Sequence, residues 1–320
     1  MQKDICIVIL TYHRPFYLEK CLLSIFEDIS GRENIDVLII NNGDDIETKK
    51  VIEKFPVRVI QDRKRSKGYL RNLGWQNSGT NIIAYVDDDV EIAGGWTESI
   101  LELFAKFPNK NIGAITGPCI VKGRQLMVSL YRQSHRNKLY NFLFGLYNNF
   151  VCEGNFLEVG KFFRSGIYSI GGSLEESLKC AGPKEIEIMS SCNMAVKREV
   201  LELTGGFDED FIYNHEDGDL SLRIRKNGYK LFFNPKMSVD HFVSPAKHTR
   251  TSSFFMGRDF GYFYRKHIRI RNLKDLFGLS INILLLNTYW IIGTVKNRTI
   301  EPLRGIKGLE TGFKLSSEKK

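Results

Sequence analysis

The sequence predicts an α/β fold, in which a mostly parallel central sheet is flanked by helices and followed by a basic, partly apolar helical extension. Short β-branched segments alternate with segments of helical periodicity through residues 1–118. Three of the predicted strands end in a polar cluster. The net charge of +9 arises at the C-terminus, where residues 247–320 hold 15 Lys and Arg against 5 Asp and Glu.

The elements of residues 1–118 follow from apolar periodicity and turn composition. In chain order, the pattern predicts a strand over 5–10, a helix whose apolar positions run from Leu18 to Phe26, a strand over 37–40, a short helix ending near Lys54, a strand over 57–61, a helix over about 68–77, a strand over 82–86 and a helix over about 95–107. Such alternation is typical of βαβ units, so we expect a largely parallel sheet with both faces covered.

The polar clusters occupy residues 11–14, 41–45 and 87–89, directly after three of these strands. Ligands of open α/β sheets bind outside the carboxyl ends of the strands. We therefore expect a binding crevice in the first half of the chain.

The second half is less regular. Residues 119–185 are rich in Tyr, Phe, Asn and Arg without clear periodicity, which fits either helical cover or loops over the crevice. Beyond them the pattern predicts a strand over 187–190, a helix over 198–203, a helix that ends before Asn227-Gly228, and strands over 231–233 and 238–240.

Residues 276–295 form a 20-residue segment without charge, long enough to span a bilayer. Ser280, Asn287 and Thr294 recur every seven residues and would form a polar stripe on a helix, which basic residues flank on both sides. A helix lying in a membrane interface explains both features, while a membrane span and a buried core or dimer helix remain alternatives.

Composition and cysteine spacing bound the class of protein. With 42% hydrophobic and 26% charged residues, the chain has the composition of a globular protein rather than a disordered one. Its six cysteines form no C-x-x-C pair and several lie in apolar segments, which is typical of reduced core residues. The N-terminus leads into a strand without a signal-peptide pattern, so we expect a cytoplasmic protein.

Five segments, taken in order, resemble family 2 glycosyltransferases, enzymes of the GT-A fold that use nucleotide-sugar donors. The segments are "IVILTYHRPFYLEKCLLSIF", "VLIINNGDD", "GYLRNLGWQNS", "AYVDDD" and "SCNMAVKREVLELTGGFDEDFIYNHEDGDLSLRIRKNGYKLFFNP". The resemblance implies a GT-A domain over residues 1–245, with a nucleotide-sugar half to about residue 118 and an acceptor half after it. Residues 246–320 would form a membrane-associating extension.

For the three aspartates the resemblance implies a metal site, with Asp89 as the direct ligand and Asp87 and His241 as further ligands. Carboxylate oxygens favour Mg²⁺ or Mn²⁺, which offsets the charge of a diphosphate. An acidic turn capping a helix is the alternative for the aspartates, and a structural histidine is the alternative for His241.

The catalytic base implied by the resemblance is Asp217, with Glu216 as the second candidate. Acidic residues at a helix N-terminus also stabilise the helix dipole, and for Asp219 we prefer that explanation. A base that takes a proton from an acceptor hydroxyl has to be ionised.

The remaining site residues are expected to bind donor or acceptor. Thr11, Tyr12, Arg14, Asn41, Lys67 and Arg71 are assigned to the nucleotide, Asp87 and Asp88 to ribose and sugar, and Trp96 and Asn193 to sugar or acceptor. A simple strand-to-helix turn is the alternative for Thr11, Tyr12 and Arg14, and a solvated helix face is the alternative for Lys67. The family has Pro where this chain has Leu10, and Asp where it has Asn41. The amide of Asn41 still matches uracil or thymine, so we expect a UDP- or dTDP-sugar.

Together these expectations describe an inverting, metal-dependent glycosyltransferase acting on a glycan or lipid-linked acceptor at the cytoplasmic face of a membrane. A sugar nucleotidyltransferase is disfavoured because "TYHRPFYL" lacks the Gly-rich loop of that class. A non-catalytic binding module is disfavoured by the acidic residues. The basic extension would also suit DNA, but its apolar segment does not fit a phosphate-tracking surface, so no nucleic-acid partner is expected.

Overall fold

The computed structural model describes residues 3–64, 66–106, 111–123, 126–242 and 252–315. Within them the strands are β1 (Ile5–Thr11), β2 (Ile35–Asn41), β3 (Arg58–Gln61), β4 (Ile82–Asp87), β5 (Val90–Ile92), β6 (Ile112–Thr116), β7 (Cys119–Val121), β8 (Lys184–Ile186), β9 (Asn193–Lys197), β10 (Lys230–Phe233) and β11 (Val239–His241). The helices are α1 (Pro15–Asp28), α2 (Ile46–Ile52), α3 (Lys67–Gln76), α4 (Trp96–Lys106), α5 (Leu126–Ser134), α6 (Lys138–Val151), α7 (Arg198–Thr204), α8 (Glu216–Lys226), α9 (Ser253–His267), α10 (Leu273–Asn297) and α11 (Arg304–Lys314).

The central sheet has eight strands in the order β3-β2-β1-β4-β9-β6-β10-β8. The strands of the first half, β1 to β4, pair in parallel, as predicted, and β6 pairs in parallel with β10. The strand β9 runs antiparallel to both of its neighbours, and β8 is antiparallel to β10. The α/β fold with a C-terminal helical region is thus confirmed, and the antiparallel strands β8 and β9 lie in the second half of the chain, where the sequence pattern is less regular.

A second sheet of three strands, in the order β5-β11-β7, stands beside the first. In it His241 pairs with Val90, the residue that follows Asp89. The backbone N–H of Phe242 also donates to the carbonyl of Asp89, at 2.8 Å. This small sheet brings His241 next to the aspartates, although about 150 residues separate them in the chain.

The sheet is covered on both faces, because its strands are apolar on both sides. Ile5, Ile7 and Ile9 of β1 belong to one buried cluster, with α1 and α4, and Cys6 and Val8 belong to the other. Successive side chains of a strand point to opposite faces, so this near-continuous apolar sequence is what a doubly covered strand requires.

The predicted strand over 187–190 is wrong. Its backbone N–H groups donate to isolated acceptors instead of to a neighbouring strand. Those of Glu187 and Ile188 donate to the carbonyl of Gly160 at 2.8 and 3.1 Å, and that of Met189 donates to the hydroxyl of Ser221 at 3.1 Å. The strands of this region lie on either side, as β8 and β9.

Cys119 on β7 and Cys192 before β9 lie side by side, with Cα atoms 7.2 Å apart, because the fold brings together residues 73 positions apart. That separation exceeds the range of an unstrained disulfide, so the reduced state of the six cysteines stays a prediction. Cys6, Cys21 and Cys152 are buried free thiols, as predicted.

The C-terminal extension is helical, as predicted, and its helices pack closely. Glycines allow α9 and α11 to approach at backbone distance: a Cβ on Gly308 would lie 2.0 Å from the carbonyl oxygen of Phe254, and one on Gly261 would lie 2.3 Å from that of Leu309. Residues 243–251 and 316–320 lie outside the described residues, so the predictions made for them are not addressed by the structure.

Among the described residues, α10 is the one helix that is long and apolar enough to cross a membrane by length and composition, which is weak evidence for a span. Only 22% of its most apolar window is buried in the protein. The alternative of a buried core helix is therefore wrong. The hydroxyls of Ser280 and Thr294, in the predicted polar stripe, donate to carbonyls four residues back.

Candidate active site

The three adjacent aspartates form the turn between β4 and β5, and a half-buried arginine partly offsets their charge. Arg14 donates to Asp88 at 2.8 Å and to Asp89 at 3.1 Å, and the hydroxyl of Thr11 donates to Asp88 at 2.7 Å. Burial raises the pKa of Asp88 to about 6, against the lowering effect of Arg14. Asp88 is thus tied to the strand-to-helix turn after β1.

Asp87, Asp89 and His241 form a potential metal site. One ligand atom from each lies within 4.8 Å of the others, and the Nε2 of His241 is 3.3 Å from the Oδ1 of Asp89. Burial opposes the imidazolium, yet the hydrogen bond and the charge of Asp89 raise the pKa of His241 overall. Two carboxylates and an imidazole fit Mn²⁺ or Mg²⁺, and a bound cation would replace the proton on His241.

Arg71 on α3 joins this acidic turn to α8. Its guanidinium is buried and donates to the carboxylates of Glu216 and Asp87, the latter at 3.3 Å, and to the hydroxyl of Ser191 at 2.9 Å. Burial raises the pKa of Glu216, and the charges of Arg71 and Lys67 oppose that rise. Glu216, the second candidate for the base, is therefore occupied in a buried ion pair.

Asp217 is the next residue of α8, and its carboxylate is fixed by backbone donors. Its Oδ2 accepts from the N–H of Ser191 at 3.0 Å and its Oδ1 from the N–H of Gly218 at 2.8 Å. The preceding residue, His215, has a left-handed backbone with φ of 69°, which turns the chain sharply into the helix. Asp217 is less buried than Glu216 and so remains the better candidate for the base.

A pocket of about 150 Å³ lies above the carboxyl ends of β1 and β4. Of the residues predicted to bind the donor, it is lined by Thr11, Tyr12, Arg14, Lys67, Arg71, Asp87 and Asp88. The predicted residue Asn41 is not among them. Its amide oxygen accepts the N–H of Gly43 at 3.0 Å, and the neighbouring Asn42 lines the pocket instead.

The prediction that Trp96 and Asn193 contact an acceptor is wrong. Both side chains are fully buried, and the indole N–H of Trp96 donates to the amide oxygen of Asn193 at 2.9 Å. The amide nitrogen of Asn193 donates to the carbonyls of Pro118 and Met237. All the polar atoms of this pair are used within the core, so none is left for a ligand.

Residues that the sequence did not single out also shape the pocket. Ile212 and Tyr213, from the loop before α8, and Phe255, from α9, line it. Asp259 on α9 accepts hydrogen bonds from the N–H groups of Ile212, Tyr213 and Asn214. Asp259 lay in a segment interpreted as a separate extension, and no local pattern marks it.

The fold and this site define the class: an α/β protein of the GT-A type. Two solved structures with this fold are similar to the chain. One is the mannosyltransferase PcManGT from Pyrobaculum calidifontis in complex with GDP-Man and Mn²⁺, with a TM-score of 0.57, 14% identity, and coverage of 98% of this chain and 88% of that one. The other is TarS of S. aureus in complex with UDP-GlcNAc, with a TM-score of 0.58, 11% identity, and coverage of 96% and 79%.

Sequence comparison gives the family. The model described as glycosyl transferase family 2 matches residues 6–162. The minor teichoic acid biosynthesis protein GgaB of Bacillus subtilis strain 168 is 25% identical over 113 residues, which are 33% of this chain and 13% of that protein. Residues 6–162 thus match a family 2 glycosyltransferase domain, and the aligned region spans only 13% of the length of the B. subtilis relative.

Proposed function

We propose that the protein is a metal-dependent, inverting glycosyltransferase that moves a sugar from a nucleoside-diphosphate sugar to a hydroxyl of a glycan or lipid-linked acceptor. One observation carries the proposal: Arg71 connects the ligand set of Asp87, Asp89 and His241 to the α8 N-terminus that bears Asp217. Charge stabilisation for a leaving diphosphate and a base for an attacking hydroxyl are thus close to one pocket.

Donor binding would use the cations of this pocket. Arg14 and Lys67 line it, and burial of Lys67 is offset by the charges of Glu216 and Asp87, which keep its pKa above the usual value. Two fixed cations suit a diphosphate, and the ring of Tyr12 at the same wall suits a base or ribose. Asn42, which lines the pocket, is now a candidate beside Asn41 for recognising the base of a UDP- or dTDP-sugar.

A Mn²⁺ or Mg²⁺ ion would be held by Asp87, Asp89 and His241. When bound, such an ion neutralises charge on the departing diphosphate. Arg14 would hold Asp88 and Asp89 in place. Its hydrogen bond to one carboxylate oxygen of Asp89 would restrict rotation of that side chain.

The transfer would be a single displacement. Asp217 accepts the proton of the acceptor hydroxyl, the hydroxyl oxygen forms a bond to the anomeric carbon, and the bond from that carbon to the diphosphate breaks. Attack from the side opposite the leaving group inverts the anomeric configuration. The backbone donors from Ser191 and Gly218 orient the carboxylate of Asp217 for this role.

The enzyme would work peripherally at the cytoplasmic face of a membrane. Its basic C-terminal residues and the apolar, largely exposed α10 support this location. The B. subtilis relative is named for teichoic acid biosynthesis, which agrees with an envelope or lipid-linked glycan as the acceptor.

The test is a screen of nucleotide sugars with the full chain, which measures release of nucleoside diphosphate with Mn²⁺, with Mg²⁺ and with a chelator. We expect release from one or a few donors, and its loss with the chelator. Release that is equal with and without metal would contradict the metal-dependent mechanism. Release from no donor, with nucleotide binding intact, would contradict the proposed reaction.

A further inference from the structure

An unexpected apolar face lies on α6, within residues 119–185, where the sequence shows no clear periodicity. Six apolar or aromatic side chains of this helix are between 41% and 64% exposed: Leu139, Tyr140, Phe142, Leu143, Leu146 and Phe150. Five of them follow helical spacing and so lie along one side of α6. Contiguous exposed apolar residues of this extent usually mark an interaction surface.

The helix α10 also exposes apolar residues. Its inward side includes Asn282, whose amide donates to the carbonyl of Ser165 and to the hydroxyl of Tyr264, both at 2.9 Å. Its outward side is mostly apolar, and the exposed residues there include Leu273, Phe277, Leu284, Ile291, Ile292 and Val295. The helix thus satisfies Asn282 inside the protein and leaves these apolar residues uncovered.

The two helices form one continuous surface. The exposed rings of Phe150 on α6 and Phe277 on α10 meet edge to face, with centroids 5.4 Å apart. Gly278 makes the approach possible, since a Cβ there would lie 2.6 Å from the carbonyl oxygen of Phe150. We call the exposed residues of these two helices the α6–α10 face.

The charges that flank the α6–α10 face are mostly basic. Residues 126–153 contain three basic residues and one acidic residue, the exposed Glu153 that follows α6. Residues 265–300 contain seven basic residues and one acidic residue, Asp275, which is buried and paired with Arg164 at 3.3 Å. An apolar face with a basic surround matches the hydrocarbon boundary and the headgroups of an anionic membrane.

We infer that the α6–α10 face docks the protein on an anionic lipid bilayer, with α6 as a second membrane-contacting helix beside α10. A second copy of the chain is a poorer occupant, because two such faces would bring like charges together. The inference deepens the proposed function, on which it rests for the membrane-linked acceptor. The surface itself can be tested without any turnover.

The experiment measures co-sedimentation of the full chain with vesicles of phosphatidylcholine, with and without phosphatidylglycerol. Each variant replaces two exposed apolar residues by Asn: F142N with L146N on α6, L284N with I291N on α10, and the control L23N with L203N on α1 and α7. All six side chains are exposed, so the folds should be retained, which circular dichroism would verify. Donor hydrolysis in Mn²⁺ is measured in parallel on each protein.

We expect wild type and control to bind the anionic vesicles, to bind neutral ones weakly, and to be released by salt. The α6 and α10 variants should each lose about tenfold or more in partitioning, because exposed apolar groups no longer enter the lipid. Donor hydrolysis should be unchanged in all three variants.

The inference is overturned if the α6 variant binds anionic vesicles as well as wild type does, or if wild type binds neither kind of vesicle. Concentration-dependent dimerisation that the α6 variant abolishes, without vesicle binding, would assign the face to a second copy. Intact vesicle binding without donor hydrolysis by any protein would count against the proposed function and leave the docking surface supported.

Discussion

The carboxylate of Asp259 accepts a 2.6 Å hydrogen bond from the backbone N–H of Tyr213. The same oxygen also accepts from the N–H groups of Ile212 and Asn214, at 3.0 and 3.1 Å. Three successive residues of the loop before α8 are therefore held by one side chain of the C-terminal helix α9. Because Ile212 and Tyr213 line the pocket, the extension helps to shape the site.

Removal of this carboxylate should therefore affect both stability and turnover. In Asp259→Ala, three N–H groups lose their partner, which should cost about 3 kcal/mol of unfolding free energy. Asp259→Asn should cost less, since its remaining side-chain oxygen can still accept. Its amide nitrogen, however, would face the guanidinium of Arg258, which lies 2.7 Å from the Asp259 carboxylate in the wild type. Urea unfolding and the donor KM measure the two effects.

The matched control for Asp259 is Glu310→Gln, an exposed carboxylate of the neighbouring α11. We expect neither its stability nor its donor KM to change. If Asp259→Ala unfolds like wild type and binds donor equally well, the loop before α8 does not depend on α9.

Metal binding should depend on Asp89. In Asp89→Asn, one carboxylate of a hard-cation site is lost, and we expect Mn²⁺ affinity and metal-dependent donor binding to fall by about tenfold or more. Calorimetric titration with Mn²⁺, and with donor in its presence, measures both. The control variant Glu91→Gln removes a carboxylate two residues away on β5, and it should bind Mn²⁺ normally. Unchanged Mn²⁺ affinity in Asp89→Asn would exclude Asp89 as a ligand.

Chemistry should depend on Asp217 separately from binding. Asp217→Asn keeps the shape of the side chain but cannot take a proton, so transfer should fall on the order of 10²-fold while donor and metal still bind. Glu216→Gln breaks the buried pair with Arg71 and should lower the thermal midpoint as well as the rate. Loss of donor binding in Asp217→Asn, with transfer otherwise intact, would show that the assigned roles are wrong.

How far the sequence predicted this site depends on the range of each interaction. The strands and their polar ends were predictable because apolar runs and turn residues are local signals, and the aspartate turn lies at such an end. Trp96 and Asn193 were misassigned because one sequence does not show how deeply a polar residue is buried. Asp259 gave no signal, since its partners lie more than forty residues earlier and are backbone groups.

The same limit applies to Asp219, for which the helix-dipole explanation was preferred. Asp219 lies in the first turn of α8, but it is also fully buried among cations. Its carboxylate pairs with Arg223 on the same helix and with Lys266 and His267 of α9, all at 2.6 to 2.8 Å. It therefore joins α8 to α9, a role that the dipole alone does not describe.

This ion cluster predicts a pH dependence of stability. Burial raises the pKa of Asp219, but the hydrogen bond from His267 and the charges of Arg223 and Lys266 outweigh it and lower the pKa below its usual value. The unfolded chain therefore takes up this proton first as the pH falls. The stabilisation is fully present above about pH 4, the pKa of an unperturbed Asp, and is lost as the pH falls toward the folded-state pKa.

Asp219→Asn should accordingly lose about 3 kcal/mol of unfolding free energy at pH 7, because the partly buried Arg223 and Lys266 lose the charge that compensates them. Its stability should also fall less steeply than that of wild type between pH 5 and pH 3, since the variant no longer carries this carboxylate. Urea unfolding at a series of pH values measures both quantities, with Glu199→Gln, an exposed carboxylate on α7, as the control. Parallel pH profiles for Asp219→Asn and wild type would show that the Asp219 cluster does not carry the acid sensitivity of the fold.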